Sequence, residues 1–352
     1  MSSAAEDKIN VFHHQKKEFF RFENGETAWL FEITNGVISA KISDFGGVIY
    51  SLKVPDKDGD LVDVILGCQD PNLYQNKVLY FGSLIGRCAN RIKSGRFSIG
   101  RIKYQLAKND KGINALHGDS EFSHNLWQVE NWTRNQLVLN FFSPALAYGY
   151  PGNLWVKVTY TITDDNSFEI DYWAKSDEKT IVNLTNHAYF NLSGDGDILN
   201  HEFMLRSDFL TETDDELIPT GKLKSVDGTL YDFRTPKKFG EVLPYLTQKN
   251  GLDDNFVLNK DYESLPAGIA YSPDSGIEMS YYTSDIGVQI FTANRYKLPI
   301  VLKNGKEAPV WGGFCLESQH FPDSPNHKNF PSILLNAGES YHQTTRFKFK
   351  VR

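Results

Sequence analysis

The residues of this 352-residue chain that could do chemistry fall in three short segments. The first covers residues 181–192, I-V-N-L-T-N-H-A-Y-F-N-L. Read as a strand, it presents Asn183, Thr185, His187, Tyr189 and Asn191 on one face. Val182, Leu184, Ala188, Phe190 and Leu192 lie on the other, with Asn186 as the exception. Strand faces turned to bulk water usually carry Lys, Glu and Thr. This one carries neutral hydrogen-bonding groups, an imidazole and a phenol. Such a face suits a groove that grips a neutral, hydroxyl-rich ligand. It equally suits a buried polar network that ties a sheet together.

The second segment, residues 312–323, reads G-G-F-C-L-E-S-Q-H-F-P-D and sets Cys315, Glu317 and Gln319 opposite Phe314, Leu316 and Ser318. A carboxylate inside an apolar strand is either solvated or functional. The third, residues 86–97, reads G-R-C-A-N-R-I-K-S-G-R-F and places four basic residues in a chain that is acidic overall. It is either a solvated hairpin or a source of forked donors, with Arg91 aimed at ligand oxygens. His117, in L-H-G, and Asp253 are isolated polar signals open to a structural reading. His320, Asp323 and His327 raise the question of a metal, but their spacing matches no ligand pattern, so none is expected. No phosphate loop, dinucleotide fingerprint, nucleophile elbow or H-E-x-x-H helix occurs.

The elements that must position these residues read as strands. Aromatic residues make up 13 % of the chain, which leans towards sheet. Residues 37–43, 48–54, 156–162, 168–172 and 345–351 alternate apolar and polar positions. Asn35-Gly36 and Asp58-Gly59 are tight-turn signals, and Ser193-Gly194-Asp195-Gly196-Asp197 reads as a hairpin tip. Helical periodicity is confined to short turns near residues 71–75 and 242–248. Many short strands with regular turn signals predict an all-β sandwich or barrel, because a parallel sheet would need crossover helices. No linker divides the chain, so residues 16–352 read as a single domain, with residues 1–15, including His13-His14, a loose N-terminal segment.

The net charge of −7 offers no basic surface for nucleic acid or anionic membrane. Three scattered cysteines, Cys68, Cys88 and Cys315, form neither a disulfide framework nor a zinc spacing and suit a reducing, cytoplasmic compartment. No apolar run is long enough for a signal peptide or a membrane span, and the sequons at Asn131, Asn183 and Asn191 are expected to be chance. The expected partner is a small molecule, bound by a monomer or weak homodimer.

The same segments resemble the aldose 1-epimerase (galactose mutarotase) family. The resemblance runs from about residue 20 to the C-terminus and is carried by G-R-C-A-N-R-I at 86–92, L-H-G at 116–118, G-Y-P-G-N-L at 149–154 and N-H-A-Y-F-N-L at 186–192. It continues with P-T-G at 219–221, L-D-D-N-F-V-L at 252–258, G-V-Q-I at 287–290 and L-E-S-Q-H-F-P-D-S-P-N-H at 316–327. The resemblance implies a large antiparallel β-sandwich with a sugar cleft across one sheet, and interconversion of the α and β anomers of aldohexoses such as galactose or glucose, without cofactor or metal. It implies that His187 is the general acid and Glu317 the general base. It further implies sugar contacts at Asn90, Arg91, His117, Asp253 and Gln289, with Tyr189 beside the acid. Asp119, Leu252, Asp254 and residues 293–297 depart from the family pattern and are expected at the cleft rim, where they would bear on sugar selectivity.

This chemistry explains the residue types. Ring opening takes a proton from the anomeric oxygen and gives one to the ring oxygen, and a positioned acid and base each add typically 10²–10⁴-fold. An ionised Glu317 is expected to raise the His187 pKa and keep the donor charged. Two alternatives stand beside this reading. A hexose-6-phosphate 1-epimerase would draw its phosphate site from Arg87, Arg91, Arg96 and Arg295. A non-catalytic sugar-binding module of the same fold would have a damaged acid or base. A glycoside hydrolase would need two carboxylates, and the motifs supply one.

Overall fold

The architecture, seen in a computed structural model that describes residues 16–77, 79–259 and 265–352, is antiparallel β-sandwich with six short 3₁₀ turns and no α-helix among the described residues. The expected loose segment, residues 1–15, lies outside them. The largest sheet has nine strands, in the order Gln128–Trp132, Gln136–Ser143, Leu154–Ile162, Ser167–Ser176, Ser340–Val351, Ile277–Thr283, Gly268–Tyr271, Glu202–Leu205 and Lys237–Lys238. Its central strands are the ones whose alternation is clearest. In Leu154–Ile162 the residues Leu154, Val156, Val158, Tyr160 and Ile162 are buried, whereas Trp155 is 45 % exposed. The C-terminal strand Ser340–Val351 is inserted between Ser167–Ser176 and Ile277–Thr283, so the chain end closes the sheet.

Two five-stranded sheets pack on this one. The first runs from Lys17–Arg21 to Leu61–Asp63 in chain order, and the Tyr160 hydroxyl of the large sheet donates to Gly47 O at 2.7 Å beneath it. The second has the order Pro219–Ser225, Phe209–Thr213, Asp253–Val257, Gly287–Phe291 and Cys315–Ser318. It meets the large sheet through Tyr281 and Ser318, whose hydroxyls are 2.6 Å apart. One apolar cluster, from Phe31 to Phe349, fills the space between the layers. No helix among the described residues is long and apolar enough to cross a membrane.

The expected short turns are present as 3₁₀ segments at Pro71–Gln75 and Leu243–Tyr245. The hairpin expected at Asn35-Gly36 is wider than two residues. Its strands end at Thr34 and resume at Ser39, and Asn35 Oδ1 accepts the Val37 and Ile38 amides across the turn.

The segment 181–192 is not one regular strand. Its backbone pairs in succession with distant partners: Ile181 with Leu334, Thr185 with Ile85, His187 with Ser83 and Gly82, and Phe190 with Phe314. Every residue in it is buried. Its polar side chains therefore divide between two jobs. Asn183 grips the His320 backbone from both ends of its amide. Asn191 donates to Gly312 O at 2.9 Å and to Gly196 O at 3.0 Å. These two are structural. His187 and Tyr189 line a cleft.

Candidate active site

The cleft, about 500 Å³, lies over the second five-stranded sheet. Strand alternation decides what that sheet offers it. On Cys315–Ser318, Leu316 and Ser318 turn into the layer below, so Cys315 and Glu317 turn towards the cleft. Gln289 is the direct cross-strand partner of Glu317, and Asp253 that of Phe291. Gln289 Nε2 donates to Asp253 Oδ1 at 2.7 Å, leaving Gln289 Oε1 and Glu317 Oε2 buried without a partner. Buried acceptors left open on a cleft wall are prepared for ligand donors.

His187 comes from the neighbouring segment, whose Phe190 bridges to Phe314. Its backbone is fixed by Ser83 and Gly82, and its Nε2 stands 3.6 Å from Glu317 Oε1. The Tyr189 and Tyr80 rings run nearly parallel to the imidazole, at centroid distances of 5.1 and 6.0 Å. Both groups are almost completely buried, His187 at 6 % and Glu317 at 2 % exposure.

Burial governs their protonation. It lowers the His187 pKa to about 4, against smaller opposing contributions from its own backbone and from Asp253. Burial also raises the Glu317 carboxyl well above the carboxylate range, aided by the Asp253 charge and opposed by Arg91. The expectation that Glu317 would hold His187 cationic in the free site is therefore overturned. Desolvation disfavours both charges, so burial favours the neutral pair over the ion pair.

The third wall carries Asn90, Arg91 and His117. Gly118 permits the approach: its φ is +66°, and a Cβ there would lie 1.9 Å from Gly86 O. No other residue type allows the two segments to touch. The Asn90 amide then donates to His117 Nδ1 at 3.3 Å. That bond makes Nδ1 an acceptor, so neutral His117 carries its proton on Nε2. Burial above all, with smaller contributions from His187, Arg91 and Lys297 around it, keeps it neutral, with a pKa well below the ordinary imidazole value. Arg91 Nε donates to Asp110 Oδ2 at 2.8 Å, so a carboxylate fixes the guanidinium where it lines the cleft. His117, His187 and Glu317 bring possible ligand atoms within 4.8 Å of one another. The Asn90 contact nevertheless makes this a donor array, because the free nitrogen of His117 bears a proton where a metal needs a lone pair.

All eight site residues expected from the sequence, His187, Glu317, Asn90, Arg91, His117, Tyr189, Asp253 and Gln289, line this one cleft. Tyr80, Phe81, Asp110 and Phe291 also line it and were not foreseen. Asp110 carries no local signal, since its role appears only against Arg91. Of the departures from the family pattern, residues 294–297 line the cleft, but Asp119, Leu252 and Asp254 do not. Leu252 is in the core, and buried Asp254 accepts Lys249 Nζ at 2.5 Å. Arg87 is also elsewhere. Its buried guanidinium donates to the Ser143, Pro151 and Gly152 carbonyls, and Arg96 Nε donates to Gln105 in an exposed contact. The four-arginine phosphate site does not assemble.

The Arg91–Asp110 contact gives a direct expectation. Asp110→Asn weakens a charge-assisted hydrogen bond of about 1.5 kcal/mol or more, so KM for the ligand rises about tenfold with little change in kcat. Steady-state kinetics separate the two.

Comparison with known proteins agrees with the geometry. The family model described as aldose 1-epimerase matches residues 30–348. The chain is 40 % identical over 332 residues to the galactose mutarotase of Mus musculus, covering 93 % of this chain and 95 % of that protein. It is 35 % identical to the aldose 1-epimerase of Escherichia coli K12, covering 90 % and 93 %. Among solved structures, the aldose epimerase homologue from C. elegans superposes with a TM-score of 0.87 at 28 % identity, over 92 % of this chain and 99 % of that one. A family match over nine-tenths of the chain, on the fold built above, settles the assignment: the chain belongs to the aldose 1-epimerase family.

Proposed function

We propose that this epimerase interconverts the α and β anomers of an unphosphorylated aldohexose by moving one proton back and forth between His187 and Glu317. The observation that carries the reading is the 3.6 Å approach of His187 Nε2 to Glu317 Oε1, deep in a cleft where Arg91 is matched by Asp110 and Lys249 by Asp254. A bound sugar brings hydroxyls that solvate the ion-pair form of the two groups. Carboxylate Glu317 then accepts the proton of the anomeric hydroxyl while imidazolium His187 donates to the ring oxygen, and the bond between C1 and the ring oxygen breaks. The products are an open-chain aldehyde and a neutral pair, the form that burial already favours in the empty site. Rotation about C1–C2 presents the other face of the carbonyl. The ring hydroxyl attacks and returns its proton to His187, and Glu317 returns its own to the new anomeric oxygen. The proton count of the pair closes over each turnover. Asn90, Arg91, His117, Tyr189, Asp253 and Gln289 hold the remaining hydroxyls while the chain is open.

Against a phosphorylated substrate, Arg87 and Arg96 lie outside the cleft and Arg91 is matched by Asp110, which leaves Arg295 as the one member of the expected arginine set not accounted for. Continuity of the apolar core supports treating residues 16–352 as one domain, and three unpaired, buried cysteines support a reducing, cytoplasmic setting. The test is polarimetry of freshly dissolved α-glucose, α-galactose and glucose 6-phosphate. The free sugars are expected to mutarotate far faster than in buffer, and faster than the phosphate. No acceleration of any free sugar overturns the proposal.

The shared proton sets the pH dependence. As pH falls through about 4, His187 takes a second proton and the pair loses its acceptor. On the alkaline side the raised Glu317 keeps the last proton well past the carboxylate range. A plot of kcat/KM against pH is therefore expected to be bell-shaped, with its acid limb at about 4. An acid limb near about 6.5, the ordinary imidazole value, would contradict this account.

A further inference from the structure

The ring of His187 is contacted at both nitrogens from a single strand. Glu317 lies 3.6 Å from Nε2, and Cys315 Sγ lies 3.4 Å from Nδ1. The two side chains are two residues apart, so they share a face of Cys315–Ser318 and stand about 7 Å apart along it. That spacing admits an imidazole edge between them. We propose that Cys315 is a positioning residue. Its sulfur accepts the Nδ1–H of His187, fixing the neutral ring in the tautomer whose Nε2 carries the lone pair.

The inference rests on the proton cycle proposed above. In that cycle Nε2 both gives and regains the proton, so Nδ1 must bear hydrogen in every state. A partner that donated to Nδ1 would move the proton of the neutral ring to Nε2 and block its return. Histidines in such a position are often held by a backbone carbonyl or a carboxylate, and a carboxylate fixes the same tautomer and also makes the ring more basic. A thiol is a weak, neutral acceptor. Cys315 is fully buried, and burial, with smaller contributions from Glu317 and Asp253 nearby, raises its pKa well above the ordinary thiol value, so it stays uncharged. It therefore selects the tautomer without strengthening the base, and His187 remains a ready donor to a weakly basic ring oxygen. The other groups facing the ring do not compete for Nδ1. Tyr80 and Tyr189 run parallel to its plane, the centroid of His117 is 5.5 Å away at a steep angle, and Asp253 is held by Gln289.

The test is ¹⁵N NMR of ring-labelled histidine in the ligand-free full-length protein, with His187→Asn used to assign the signals. Wild type is expected to show a pyrrole-type Nδ1 and a pyridine-type Nε2 for His187. Cys315→Ala is expected to move both towards intermediate values and lower kcat about tenfold, the worth of one hydrogen bond, with KM within about twofold. Cys315→Ser, which restores an acceptor, is expected to recover the tautomer and most of kcat. A pyridine-type Nδ1 in wild type overturns the proposal whether or not any variant folds. So does Cys315→Ala with unchanged shifts, or Cys315→Ser as impaired as Cys315→Ala, since either reduces the sulfur to packing. Full activity in His187→Asn would instead remove the proton cycle itself, so the two failures are distinct.

Discussion

Glu317→Gln and His187→Asn are each expected to lower kcat by about 10²–10⁴-fold, equivalent to about 3–5 kcal/mol of transition-state stabilisation. Glutamine keeps the shape and the cross-strand contact with Gln289 but cannot exchange a proton. Asparagine keeps a polar group at the His187 position but does not titrate. The proposed mechanism makes a sharper demand on the double variant. One proton passes between two groups and returns, so removing either group stops the cycle, and removing the second costs almost nothing more. The double variant should therefore fall within a fewfold of either single one. Multiplication of the two losses would mean that the groups act independently. Binding separates these outcomes from misfolding. The hydroxyl-holding residues are untouched, so galactose affinity by calorimetry should change by less than about threefold, an energy well below one hydrogen bond. Loss of both affinity and activity would place the two residues in the scaffold and not in the chemistry.

The fold was legible where local rules governed it. In Leu154–Ile162 each buried residue is followed by one that is exposed or partly exposed, because one face meets the core and the other meets water. Period two then declares itself. The segment 181–192 obeys no such rule, since it is buried on both faces and bonded to partners from four remote parts of the chain. Its alternation correctly grouped His187 with Tyr189, but it could not tell that Asn183 and Asn191, at the same parity, serve the backbone. Glu317 shows the opposite case. Parity alone put it opposite Phe314 and Leu316, and the structure turns that face to the cleft with Cys315 beside it. What the sequence could not carry was charge state. Reference pKa values suggested a carboxylate beside an imidazolium. The energy that reverses this is desolvation, which depends on walls assembled from residues 80, 117, 187, 253 and 317 together. Asp110 escaped notice for a similar reason, being one acidic residue in a loop until Arg91 meets it.

Arg87 is the position where a sequence reading and the structure differ most, and it carries the second large expectation. In a basic run it reads as a solvated cation or a phosphate ligand. It is 1 % exposed. Its NH1 donates to Pro151 O at 2.9 Å and Gly152 O at 2.8 Å, and its NH2 to Ser143 O at 3.0 Å. Tyr150 lies 5.5 Å from the guanidinium, and buried Glu121 makes the largest contribution opposing the lowering of the Arg87 pKa by burial. The fork ties residues 143–152 to the segment that leads into Asn90 and Arg91, and the Arg87 carbonyl in turn accepts the Asn183 amide at 3.0 Å. Arg87→Met fills the volume but removes the donor that three buried carbonyls accept from and leaves Glu121 without this countercharge. The expected loss is about 3–5 kcal/mol, the cost typical of breaking a buried charged network. At about 2.1 cal/mol/K per residue, that lowers Tm by roughly 4–7 °C in a chain of this length. Arg87→Lys keeps the charge and loses the fork, so it should recover only part of the stability. Scanning calorimetry of the two variants measures this, and polarimetry at 25 °C adds a second reading. The folded fraction of Arg87→Lys should retain kcat within about threefold, because the residue touches no reacting atom. A kcat loss as large as that of Glu317→Gln, with Tm unchanged, would place Arg87 in the chemistry after all.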